Sequence, residues 1–92
     1  MIRSVRHKGL KRFIEDDDSS RLPADMVERI RIILTALADA ATIDEMDLPS
    51  FRLHALRGDL SGFYAVTVRA NWRIIFRFED GDASDLDFVD YH

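Results

Sequence analysis

The feature that most constrains this chain is a change of period at Pro49. Before it, apolar residues recur at spacings of three and four; after it they alternate with polar ones. The first period belongs to a helix and the second to a strand, so the two halves must fold as different structures. Met26, Ile30, Ile33, Leu34 and Leu37 predict an amphipathic helix that starts at Pro23, a residue suited to a first helical turn, and runs to about Ala41. Upstream, Leu10, Phe13 and Ile14 share one face of a shorter helix over 8–15, which the acidic loop EDDDSSRLP interrupts, and residues 2–6 suit a short strand. Thr42 and Glu45 stand three apart, the spacing of a capping box, ahead of Pro49.

Downstream, Phe51, Leu53 and Ala55 alternate with Arg52 and His54, which places Arg52 and His54 on one strand face. RGDLSG then turns the chain, 63–68 and 72–78 form two further strands around the turn RAN, and 83–91 form the last. Helices first and an antiparallel meander after them make an α+β domain, with both helices on one face of a small sheet. Pairing sharpens this. A two-residue Asp80-Gly81 loop sets Phe76 opposite Asp85 and Ile74 opposite Asp87, which buries carboxylates. A three-residue loop, Glu79 to Gly81, pairs Trp72 with Phe88, Ile74 with Leu86 and Arg73 with Asp87. Matching like with like favours the three-residue loop. The face opposite the helices then presents Arg73 and Arg77, together with Arg52 and His54 from the first strand.

A chain of 92 residues makes one domain, spanning 1–92. It has no cysteine, which removes disulfides and thiolate metal sites and fits a reducing, cytoplasmic setting. No apolar run approaches the ~20 residues of a membrane helix, and no apolar segment follows the basic start as a secretory signal requires. The net charge of −4 argues against nucleic acid until its distribution is considered. Residues 3–12 hold Arg3, Arg6, Lys8, Lys11 and Arg12 without an acid, and Asp59 is the only acid between Phe51 and Phe78, among Arg52, Arg57, Arg69, Arg73 and Arg77. Local charge sets a binding footprint, so a basic face on an acidic protein is compatible with RNA.

Cleaving an RNA phosphodiester without a metal requires a base for the 2′-OH, an acid for the leaving oxygen and fixed cations on the phosphate. Histidine serves either proton role near neutral pH. Arginine supplies a planar, permanently charged fork. His54, His92, Arg57 and Arg73, with Asp90 and Tyr91, contain those parts. The histidines are too scattered for a metal motif, and no Gly-rich phosphate loop or nucleophile elbow is present; no cofactor is expected.

Three segments, VRHKGLKRF, RLHALRGDLSGFYAVTVRANWRIIFRFEDGDA and the closing VDYH, together resemble the HigB group of RelE-like toxins from bacterial type II toxin–antitoxin systems. The resemblance implies a microbial-ribonuclease-like fold and cleavage of mRNA in the ribosomal A site, without a metal, by 2′-OH attack. Carried over residue by residue, it implies an active site of His54, Arg73, Asp90, Tyr91 and His92. Asn71 belongs to the same motif, and Arg57 stands where the family usually has lysine. By the same implication Lys8, Lys11 and Arg12 contact ribosomal RNA. The resemblance also implies a partner, a HigA-like helix-turn-helix antitoxin, in a heterotetramer that reaches operator DNA through the antitoxin. Two alternatives share the fold: a ParE-like module that poisons gyrase, and a catalytically weak regulatory partner of the antitoxin. The closing DYH with His54 counts against the first; the net charge mildly favours the second.

Overall fold

A computed structural model of the chain describes residues 1–91. Helix α1 (Lys8–Asp16) and helix α2 (Val27–Asp39) precede a four-stranded antiparallel meander: β1 (His54–Ala55), β2 (Phe63–Arg69), β3 (Trp72–Glu79) and β4 (Asp82–Asp90), in the spatial order β1-β2-β3-β4. Leu10 and Phe13 of α1 and Ile30, Ile33, Leu34 and Leu37 of α2 are buried against Val66, Val68, Ile74, Phe76, Leu86 and Phe88 on one face of the sheet. Truncating any of these fully buried aliphatic side chains to alanine costs about 2–5 kcal/mol through lost burial and the cavity left behind.

The helix ends follow local chemistry. His7 caps α1 by accepting the Leu10 N–H at Nδ1 (3.2 Å), and its ring meets Phe88 edge-on. This histidine is structural. Pro23 lies just outside the long helix, capping a single 3₁₀ turn (Ala24–Met26) that leads into α2, so the helix starts later than its pattern suggests. The Thr42–Glu45 capping box is present. Glu45 accepts the Thr42 and Ala41 N–H groups (2.8 and 2.6 Å), which hold its carboxyl below the usual range.

Four expectations need correction. Residues 2–6 form no strand; Ile2 and Val5 make isolated parallel bridges to Ala83 and Leu86 along the outer edge of β4. The first strand of the meander is only two residues long, because Arg52 takes a left-handed backbone (φ 51°) that ends the alternation; Arg52 and His54 therefore do not share a strand face. The β3–β4 connection is the two-residue Asp80-Gly81 turn, both residues with positive φ (52° and 81°), with Glu79 opposite Asp82. The carboxylate burial that argued against this turn is relieved further along. Asp85, also at positive φ (54°), is an extra residue in β4, and this bulge shifts the register so that Ile74 faces Phe88 and Arg73 faces Val89. Like still meets like, through a bulge rather than a longer loop.

The fourth correction concerns the sheet's outer face, which is less polar than expected. Leu56, Phe63, Ala65 and Ile75 form a second buried cluster there, with Leu60 and Val89 packed against it. Leu60 comes from the 3₁₀ turn Gly58–Leu60 that RGDLSG makes.

Candidate active site

The outer face has two ends with different chemistry. Toward the β3–β4 turn, Arg77 pairs with Asp85, which also receives Arg6 (both 3.6 Å), and Arg3 pairs with Asp82 (3.1 Å). Toward the β2–β3 turn the cations change partners. Arg73 is half-buried and meets no carboxylate among the described residues; one guanidinium nitrogen donates to the carbonyls of Ala70 (2.6 Å) and Trp72 (3.1 Å). Ala70 takes a left-handed backbone (φ 51°), which makes the tight connection between Arg69 and Trp72. The Tyr91 N–H donates to the Asn71 carbonyl (2.7 Å), so the turn holds the chain beyond β4. Tyr91 keeps 44% of its surface exposed, enough for a base to lie on its ring.

Cross-strand register orders the floor. Thr67, Arg73 and Val89 form one row and Ala65, Ile75 and Asp87 the next, with His54 on the edge strand opposite Ala65. His54 is exposed, and its Nδ1 lies 3.2 Å from the Arg52 carbonyl. A carbonyl only accepts, so Nδ1 carries the proton in that contact, and a neutral ring keeps its lone pair on Nε2.

The expected residues thus divide. Arg73, Asn71 and Tyr91 gather at the β2–β3 turn, and His54 stands on the same outer face. Asp90 faces Trp72 in the register and so alternates onto the helix side, where Trp72 stacks on Phe88 (4.6 Å, 20°). Arg57 is exposed at the start of the Gly58–Leu60 turn. Lys8, Lys11 and Arg12 are exposed along α1, on the other side of the sheet, where they line a groove with Arg21, Glu15 and Asp16; Arg12 pairs with Asp18 (3.7 Å). His92 lies outside the described residues. Among the described residues no three metal-ligating side chains stand together, and no helix is long and apolar enough to cross a membrane. The sequence reading missed the apolar support of this face. Its signal was present in Leu56, Leu60 and Phe63, which flank and interrupt the RGDLSG turn.

Residues 3–92 match the family model of the HigB RelE-like toxin of type II toxin–antitoxin systems. The chain is 47% identical, over the whole length of both, to a Proteus vulgaris protein named Endoribonuclease HigB. Among solved structures it resembles a YafQ mutant from E. coli (TM-score 0.66, 18% identity, 96% of this chain and 89% of that one). It also resembles a chain of the YoeB–YefM complex from Staphylococcus aureus (TM-score 0.60, 14% identity, 100% and 95%). The whole-length matches and the shared α+β architecture give one answer: the chain belongs to the HigB family of RelE-like toxins of type II toxin–antitoxin systems.

Proposed function

We propose that this toxin is an endoribonuclease that cuts mRNA in the ribosomal A site and so stops translation. The observation that carries the reading is that Arg73, free of any carboxylate among the described residues, and His54 stand in adjacent rows of one sheet face, with the Tyr91 backbone tied to the turn beside Arg73. The relative's name, an endoribonuclease, supports the same activity class. In the reaction a 2′-oxygen loses its proton and bonds to the adjacent phosphorus, the P–O5′ bond breaks, and the leaving 5′-oxygen takes a proton. The products are a 2′,3′-cyclic phosphate and a 5′-hydroxyl, with no metal taking part. His54, through Nε2, and His92 divide the two proton transfers. Arg73 turns from its backbone carbonyls onto the phosphate, where a fixed cation counts most as charge develops. Tyr91 stacks on a base, Asn71 and Arg57 bind the strand, and Asp90 orients a neighbouring group. Lys8, Lys11 and Arg12, on the opposite side of the molecule, hold ribosomal RNA backbone. The partner that silences the toxin is a HigA-like helix-turn-helix antitoxin, in a heterotetramer that carries it to operator DNA, and the site of action is the cytoplasm.

The test adds the protein to programmed ribosomes and, separately, to gyrase. Codon-dependent mRNA cleavage that falls by about 10²-fold or more in His54→Ala and in His92→Ala is the expected result, as for loss of a general acid or base. Gyrase-linked DNA breaks with intact mRNA would replace this reading with the gyrase-poisoning one.

A further inference from the structure

Between Arg73 and His54 lies one side chain that the reading above leaves without a role. Thr67 is half-buried on the outer face and forms the cross-strand pair with Arg73; in the next row, Ala65 is the partner of His54. The Thr67 N–H donates to the Phe51 carbonyl (2.8 Å), and the Thr67 carbonyl accepts the Arg29 guanidinium (3.0 Å). Both backbone groups point away from β3, so Thr67 and Arg73 are a non-hydrogen-bonded pair. In such pairs the Cα atoms approach to about 4.5 Å and the side chains are closest. His54 is the diagonal neighbour on the other side, at about 7–8 Å between Cα atoms.

The backbone of Thr67 is held unusually firmly. Arg29, from α2, also bonds the Ser50 carbonyl and lies over the Phe51 ring (5.1 Å), which clamps the 50–52 segment to β2 at this residue. A register irregularity between Thr67 and Arg69 follows at once. The hydroxyl, by contrast, makes no hydrogen bond with any described residue. Threonine is common in strands for packing reasons alone. Here, however, its neighbours across the floor are Ala65, Ile75, Val89 and, in the next row, Asp87, so among the described residues its hydroxyl is the neutral side-chain donor between Arg73 and the His54 imidazole.

Building on the proposed nuclease activity, we propose that Thr67 is a further substrate-contacting group: its hydroxyl donates to a nonbridging oxygen of the phosphate that Arg73 holds, and so fixes that phosphate within reach of His54. A donor preset by a clamped backbone needs no reorganisation when the pentacoordinate phosphorus gathers charge.

Single-turnover cleavage on programmed ribosomes tests this with Thr67→Val, which removes the hydroxyl and keeps the branched shape, and Thr67→Ser, which keeps the hydroxyl. Thr67→Val is expected to lower the maximal rate about 10- to 100-fold, with the half-saturating ribosome concentration unchanged within about threefold. Thr67→Ser should stay within about fivefold of wild type. Thr67→Ala serves in place of the valine variant if that one fails to fold, with the same loss expected. Wild-type cleavage by Thr67→Val, or an equal loss in Thr67→Ser, overturns the assignment while leaving the nuclease reading intact. A wild-type protein that leaves ribosome-bound mRNA whole overturns both.

Discussion

The two ends of the outer sheet face carry arginines in different condition. At the β3–β4 end, Arg3, Arg6 and Arg77 each meet Asp82 or Asp85, three guanidiniums sharing two carboxylates, and the Arg77 guanidinium packs over the Phe63 ring (4.5 Å). At the β2–β3 end Arg73 meets, among the described residues, backbone carbonyls and no carboxylate, while Arg69 is paired with Asp25. An arginine with a carboxylate partner has its charge partly offset and its fork engaged. One held by carbonyls retains the full charge and can exchange those bonds for phosphate oxygens. The contrast is that partnership, more than the presence of arginine, separates the part that holds the fold from the part that the proposed reading gives to RNA.

The largest effect should come from the Arg73 end. Arg73→Ala is expected to lower mRNA cleavage about 10²–10³-fold, with an unfolding midpoint within a few degrees of wild type. Arg73→Lys should recover only part of that, since a point charge replaces a fork. At the paired end the expected loss is stability instead. Asp85→Val forces a branched residue to the positive φ of the bulge and removes the partner of two arginines. Strain of this kind costs about 1–3 kcal/mol, and each kcal/mol lowers the melting midpoint by roughly 4–8 °C in a domain of this size. Asp85→Gly, which accepts the backbone, should lose less, and thermal melts decide between them.

The smallest effect lies away from both ends, at the capping box. Because its folded carboxyl sits below the ordinary value of 4.5, Glu45 contributes stability that is complete above that pH and disappears as the pH falls through the lowered value. Glu45→Gln should therefore melt below wild type near neutral pH and converge with it under acid. Melts across pH read this directly.

What the sequence showed of the fold was what period and matching reveal: two helices, a meander, and the capping box at Thr42 and Glu45. What it hid were backbone choices made by single residues. Asp85 and Arg52 adopt left-handed conformations that no composition rule assigns to them, and each moves a register or ends a strand. Parity of the last hairpin was legible, since Ile74 and Phe88 had to share a face; the device that achieves it was not. The site followed the same division. Alternation placed Arg73 on the outer face, and the structure does the same, while Asp90 turns to the helix side. The joining of Asn71 to Tyr91 through backbone, and the clamp of Arg29 on Thr67, depend on contacts between segments far apart in the chain.

In the proposed reading the nuclease lies at the end of the outer face where Arg73 meets no carboxylate among the described residues. The most direct measurement is single-turnover mRNA cleavage on programmed ribosomes by wild type, Arg73→Ala and Arg77→Ala, side by side. Arg73→Ala is expected to lose about 10²-fold or more, and Arg77→Ala, whose guanidinium is engaged by Asp85, to stay within about threefold of wild type. Equal losses in the two variants, or full activity without Arg73, would contradict it.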